Sequence, residues 1–279
     1  MRKRIDISEA ELRRLHDKEK LSQEKIAQAL GRSSSTVLRR MHEYGIEPRT
    51  KAEAALLAHG HAHLRHDFDG DPKEKAYLIG FCKGDARVSL LHKDGQTISV
   101  EGHSSQPKQT ELFVKLFSPY GYVYIGEPSK GGSVKVIAYL NLTFSFLLDL
   151  EDNIPFGILA DNNTFFAFLA GYIDAEGHIG VYNGRAMFGL RSYDKNILMQ
   201  LHSALLTVGI ECPRPRIAVP KGYTDKLGRS LRQDYWCLEL GAKASLLLLF
   251  KRITPYLKHA KRVRDMQAAI KNIKERSVK

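Results

Sequence analysis

Apolar residues follow two rhythms along this chain. Over residues 8–46 they recur at helical spacing in three short runs: Leu12 and Leu15 within residues 8–19, a second run from Gln23 to Leu30 behind the N-cap candidate Ser22, and a third from Ser33-Ser34-Ser35 to Tyr44. Gly31 and Gly45 follow the second and third runs, where a left-handed residue ends a helix. Val37, Met41 and Tyr44 share one face of the third helix, so Ser35, Arg39 and Arg40 point outward. From residue 73 the pattern reads helix, two strands, helix, two strands, helix, and then repeats. Alternation sorts the strand faces. Ala186, Phe188 and Leu190 point inward and Arg185, Met187, Gly189 and Arg191 outward; Trp236, Leu238 and Leu240 are opposed to Gln233, Tyr235 and Glu239. In the first copy Ile98 and Val100 are opposed to Thr97, Ser99, Glu101 and His103, and Val134, Val136 and Ala138 to Lys135 and Tyr139.

Residues 1–50 thus form a small all-α domain, 51–72 a linker, 73–158 a first repeat and 159–279 a second repeat with a basic C-terminal helix. In the linker, Lys51 to Ala58 has helical character. His59, His61, His63 and His66 lie in a polar, glycine-containing stretch without rigid spacing, which reads as a solvated hinge and not a metal site.

The repeats share a nonapeptide. Leu78-Ile79-Gly80-Phe81-Cys82-Lys83-Gly84-Asp85-Ala86 aligns with Leu169-Ala170-Gly171-Tyr172-Ile173-Asp174-Ala175-Glu176-Gly177, and Gly171, Ala175 and Glu176 each follow Gly80, Gly84 and Asp85 by 91 residues. A repeat of that size with one element order implies two half-domains about a pseudo-two-fold axis. Gly80 and Gly84, and Gly171 and Ala175, make a small-residue face one turn long, on which two helices can approach closely. Packed side by side, the helices bring Asp85 and Glu176 together at their C-terminal ends. Two carboxylates at the negative ends of two helix dipoles repel, and a divalent cation with oxygen ligands relieves the conflict.

Composition narrows the partners. The chain has 279 residues, 43% of them hydrophobic, and a formal charge of +12, which favours a polyanion such as nucleic acid. No apolar run approaches membrane-spanning length, Leu246–Phe250 being the longest strongly apolar stretch. The start, Met1-Arg2-Lys3-Arg4, leads into Ile5-Asp6 and not an apolar segment, so no signal peptide is expected. Cys82, Cys212 and Cys237 lack metal-site spacing and read as reduced packing residues of an intracellular protein.

Leu169–Gly177 closely resembles the signature of the LAGLIDADG homing endonucleases, and Leu78–Ala86 is a weaker copy. Phe188–Lys195 and Ile253–Lys258 resemble later landmarks of that family, and the likeness covers about residues 73–270. It implies an α+β fold of two αββαββα half-domains that present a sheet saddle to double-stranded DNA. It further implies catalysis and Mg²⁺ binding by Asp85 and Glu176, with carbonyls of Gly84 and Ala175 assisting, and cutting of both strands across the minor groove to leave short 3′ overhangs. Lys135, Tyr139, Arg185, Arg191, Gln233 and Tyr235 would face DNA, and Lys258 or Lys261 would supply a lysine near the site or contact phosphates. Lys83 and Ala86 depart from the motif, Ala86 where glycine would ease the helix exit.

The three N-terminal helices resemble a helix-turn-helix, with Ala27 at the helix contact, Gly31 in the turn and Ser34, Ser35, Arg39 and Arg40 toward DNA. Both half-sites lie in one chain, so a monomer is expected. Met1 and the ending Arg276-Ser277-Val278-Lys279 do not suit protein splicing, which favours a free-standing or intron-encoded enzyme. A non-catalytic DNA-binding regulator and an RNA maturase are the alternatives.

Overall fold

The computed structural model describes residues 7–49, 64–92, 95–149, 151–225 and 228–276. The chain forms two compact units, Met1–Leu64 and Arg65–Lys279. Lys51–Ala58, His59, His61 and His63 lie outside the described residues.

In the first unit α1 (Glu9–Arg13) runs on into a π turn over Arg14–Lys18, and is followed by α2 (Gln23–Ala29) and α3 (Ser34–Glu43). Ser8, Ser22 and Ser33 cap the three helices, each side chain accepting a backbone N–H of the first turn. Gly31 and Gly45 have φ of +60° and +64°, the left-handed exits that end α2 and α3. Ile7, Leu12, Leu15, Ile26, Ala27, Val37, Met41 and Ile46 close a separate core. Ser35 and Arg39 are exposed, Ser34 and Arg40 half-buried, and Arg39 and Arg40 both pair with Glu43.

The second unit is α+β and traces its pattern twice. The first pass is α4 (Pro72–Asp85), β1 (Ala86–Leu90), β2 (Ile98–Ser104), α5 (Pro107–Phe117), β3 (Tyr122–Ile125), β4 (Val134–Leu140) and a 3-10 turn, Leu142–Leu147. A short α6 (Phe156–Leu159) leads into the second pass: α7 (Asn162–Glu176), β5 (Gly177–Tyr182), β6 (Arg185–Ser192), α8 (Lys195–Thr207), β7 (Arg216–Val219), β8 (Tyr235–Leu240) and α9 (Lys243–Ile253). Each pass makes one antiparallel four-stranded sheet, in the equivalent orders β1-β2-β4-β3 and β5-β6-β8-β7. A final helix, α10 (Ala260–Glu275), lies against β5 and β6. None of the described helices is long and apolar enough to cross a membrane.

One core serves both passes. Phe81, Phe117, Phe144, Phe168, Phe188 and Phe250 are essentially inaccessible to solvent, each contributing about 1.5–3 kcal/mol of burial. On the strands Ala186, Phe188 and Leu190 are buried while Arg185 and Arg191 are exposed. Two positions expected outward are covered. Ser99 is 8% exposed because it stands between Ser89 and Tyr139 on the paired strands, and Gly189 is covered by the His178 ring.

The segment just before α4 is not a solvated hinge. His66 N–H donates to Tyr120 O (2.9 Å), Phe68 N–H to Thr143 Oγ1 (2.9 Å), and Asn141 Nδ2 to Asp67 Oδ1 (2.6 Å). The Phe68 ring packs against Tyr120, Phe144 and Phe146. One aromatic residue in a polar stretch is enough to anchor it, and hydropathy alone does not show that.

Candidate active site

Side-chain caps fix where the two helices that carry the site, α4 and α7, begin. Asp71 accepts from Lys73 N–H and Glu74 N–H, with Pro72 in the first turn; Asp161 accepts from Thr164 N–H. Their nearly all-apolar turns bury both helices on most sides, and the two pack directly on one another.

Their contact is reciprocal. A Cβ added at Gly80 would lie 2.1 Å from Phe168 O, and one added at Gly171 would lie 2.1 Å from Tyr77 O. Phe168 follows Tyr77 by the same 91 residues that separate Gly171 from Gly80, so residue i meets j while j's counterpart meets i's. A Cβ at Gly84 would come 2.6 Å from Ala175 Cβ, so the axis there has room for one methyl group and not two. This is why one repeat carries alanine where the other carries glycine.

Asp85 and Glu176 are the last residues of these helices. Desolvation, opposed by a hydrogen bond from Gln109 and by the His103 charge, raises the Asp85 carboxyl to about 6. Solvent still reaches its open side. Glu176 is raised to about 7, chiefly by desolvation, then by repulsion from Asp85 and Asp194, with Arg262 opposing. The repulsion belongs to the pair, whose members titrate together. The donor set consists of oxygens alone and prefers to keep a proton where no cation balances it, which fits Mg²⁺ or a similar hard divalent ion. Gly84 and Ala175 directly precede the two acids at the ends of their helices.

These raised values forecast how pH acts on stability. The unfolded chain releases the Asp85 and Glu176 protons near 3.8 and 4.5, whereas the folded chain holds them to about 6 and about 7. The folded state therefore binds more protons across that window, so the cation-free protein should lose stability as pH rises through it. Glu176→Gln should flatten the loss. Water at the open side screens part of the effect, leaving on the order of 1–2 kcal/mol at neutral pH. Urea midpoints across the window, in chelator, measure it.

The sixth nonapeptide positions, Asp174 and Lys83, have paired structural roles. Asp174 is fully buried, and its Oδ2 accepts from Tyr77 OH (2.6 Å), Lys258 N–H (2.7 Å) and His259 N–H (3.0 Å), anchoring the entry to α10. Lys83 has its side chain 1% exposed, donates to Glu151 O (2.8 Å) and lies 3.7 Å from Asp149, so it anchors the segment that leaves the first pass. An inverted charge thus does the same job with a carbonyl acceptor in place of amide donors. The exit at Ala86 needs no glycine, because its φ is −127° and Gly177 at the equivalent place has φ −76°.

Of the two lysines expected near the acids, Lys258 lies elsewhere. Lys258 Nζ sits 4.4 Å from the Tyr77 ring centre and 3.9 Å from Glu74, toward the start of α4, and Lys261 pairs with Asp265 at 2.6 Å. The cation whose field reaches Glu176 is instead Arg262, half-buried and also attracted to Asp174. Its neighbour His259 is buried and caps α10 through a side chain that accepts Lys261 N–H. The C-terminal segment is therefore a packed helix. Asn272 Oδ1 accepts Ala186 N–H, its Nδ2 donates to Gly184 O, and Met266, Ala269 and Ile273 are buried. His178, which follows Glu176 on β5, lays its ring where a side chain at Gly189 would be, with Cε1 2.2 Å from the added Cβ.

On the open sheet faces, acids group the bases. Glu239 accepts from Arg191 (3.2 Å) and Arg216 (2.8 Å), and Glu101 pairs with Lys135 (3.0 Å) and His103 (3.0 Å). Tyr139 stacks with Tyr122, and Tyr235 OH donates to Arg191 O at 3.2 Å. Gln233 and Arg185 are exposed at strand margins.

Residues 164–226, which include most of α7 and the strands β5, β6 and β7, match the family described as LAGLIDADG-like domain. No curated protein matches the chain. Among solved structures, the N-terminal LAGLIDADG domain of DUF199/WhiA is similar at 15% identity and a TM-score of 0.44, covering 68% of this chain and 94% of that one. I-DmoI in complex with DNA and Mn is similar at 15% identity and 0.44, covering 66% and 97%. Full-length DUF199/WhiA from Thermatoga maritima is similar at 15% identity and 0.46, covering 76% and 63%. The family match covers residues 164–226 of the 279.

Proposed function

We propose that this chain is a site-specific, double-strand DNA endonuclease that hydrolyses phosphodiesters with a divalent cation. The observation that carries the reading is the reciprocal glycine contact of α4 and α7, which ends in two mutually repelling carboxylates. Asp85 and Glu176, helped by the carbonyls of Gly84 and Ala175, hold Mg²⁺. When bound, the cation lowers the pKa of a water and balances charge on the leaving 3′ oxygen. In the reaction water oxygen bonds to phosphorus, the P–O3′ bond breaks, and a proton reaches the released oxygen, leaving 3′-hydroxyl and 5′-phosphate ends.

The chain's own residues bind and orient DNA. Arg185, Arg191, Gln233 and Tyr235 serve one sheet and Lys135 and Tyr139 the other, where arginine can read guanine through two hydrogen bonds. Lys258 and Lys261 contact backbone phosphates. Ser34, Ser35, Arg39 and Arg40 of the first unit act as a helix-turn-helix reader. The enzyme works as an intracellular monomer, free-standing or intron-encoded. Incubation with a randomised DNA library and Mg²⁺, followed by recovery of cut molecules, tests the reading; a defined target should emerge.

A regulator that binds DNA without cutting is the second reading. It is favoured by the independent core of the first unit, with Ser35 and Arg39 exposed on α3, since such a unit can recognise a sequence without the acids. Tight, sequence-specific binding with no nicking in the same library would select it.

A further inference from the structure

The two acids are chemically alike but are not held alike. Gln109, the third residue of α5, is 9% exposed, and its Nε2 donates to Asp85 Oδ2 at 3.2 Å. The amide lies in a narrow cleft with Phe81, Gly102, Phe113 and Val136 beside Asp85. Leu112, Phe113, Leu116 and Phe117 bury the same helix, so the amide is delivered by a rigid element. The third residue of α8, the counterpart of α5, is Ile197, which is buried and has no side-chain donor. Among the described residues none donates a hydrogen bond to Glu176, and the charge of Arg262 is what opposes its repulsion.

From this asymmetry we propose that Gln109 is a positioning residue for Asp85 alone, making the two half-sites unequal: cutting of one DNA strand depends on the Gln109 amide and cutting of the other does not. The inference rests on the nuclease reading above. A single N–H donated to Oδ2 uses one lone pair and holds the carboxylate plane, leaving Oδ1 and the remaining lone pair of Oδ2 for a cation. Partners of this kind, which touch a ligand and not the metal, contribute about 10- to 100-fold to activity or affinity.

Gln109→Met keeps length and volume and removes the donor. On a supercoiled plasmid carrying a target recovered from the library, with each strand end-labelled separately, this variant should slow one strand by about 10-fold or more. Nicked circles should accumulate while the other strand is cut at the wild-type rate. Gln109→Asn, which keeps the amide but draws it back, should slow that same strand less; it also guards against misfolding of the first variant. Packing alone would slow both strands together. Equal slowing of the two strands, no slowing, or a different strand affected by Gln109→Asn would overturn the inference while leaving the nuclease reading intact. If the wild-type protein cuts no library member and binds no Mn²⁺ by electron paramagnetic resonance, the nuclease reading fails and the role of Gln109 fails with it.

Discussion

Gly171→Ala should unfold at a much lower urea concentration than wild type, and Gly80→Ala should do the same. Each added methyl group would lie 2.1 Å from a backbone carbonyl oxygen of the facing helix, Tyr77 O or Phe168 O. Neither oxygen can rotate away as a side chain could, so the helices must separate. Separation would open the core shared by Tyr77, Phe81, Phe168 and Tyr172, each at most 1% exposed. Overpacking of this kind costs about 3 kcal/mol or more, a large share of the roughly 5–15 kcal/mol that holds a domain folded. Gly157→Ala is the control: a Cβ there meets nothing within 4 Å, and its φ is not in the left-handed region. That variant should be neutral or gain about 0.4–1 kcal/mol. Urea unfolding of the three variants decides the matter, and equal midpoints would show that α4 and α7 do not touch as described.

Asp85→Asn and Glu176→Gln should each abolish double-strand cutting, by about 10²–10³-fold or more, while DNA binding stays within a few-fold of wild type. Removing a carboxylate near phosphates weakens no attractive contact, so binding should hold or tighten. Glu176→Gln should also unfold later than wild type near neutral pH in chelator, because desolvation and the repulsion from Asp85 no longer act on a charge. Opposite changes in stability and activity mark a group kept for function. A scaffold carboxylate would lose both together, and Asp174→Ala should behave that way, since it strands Tyr77 OH and two backbone amides.

What was legible in the sequence follows a physical division. The repeat, the helix contact and the paired acids were readable because small residues and carboxylates recur at one fixed offset, and strand faces follow from period-two alternation. The three-helix pattern was readable because Ser22, Ser33, Gly31 and Gly45 have local roles. Long-range partners were not readable. Gln109 reaches Asp85 across 24 positions, and Arg262 stands 86 positions beyond Glu176, so no local pattern points to either. Residue counting from the end of the second repeat points to Lys258 and Lys261, but which face of α10 meets β5 is set by the tertiary packing and brings Arg262 toward Glu176. The role of Lys83 was hidden because its partner is a backbone carbonyl, Glu151 O. Glycine would matter at position 86 only for a left-handed exit, which the extended backbone of Ala86 does not use.

Thermal unfolding near neutral pH, with and without Mn²⁺, tests most directly whether the acid pair holds a cation. Wild-type protein should unfold at a higher temperature with Mn²⁺, in proportion to its occupancy, whereas Asp85→Asn and Glu176→Gln should show little response. An equal shift in all three proteins, or none in wild type at millimolar Mn²⁺, would contradict a cation site at the ends of α4 and α7.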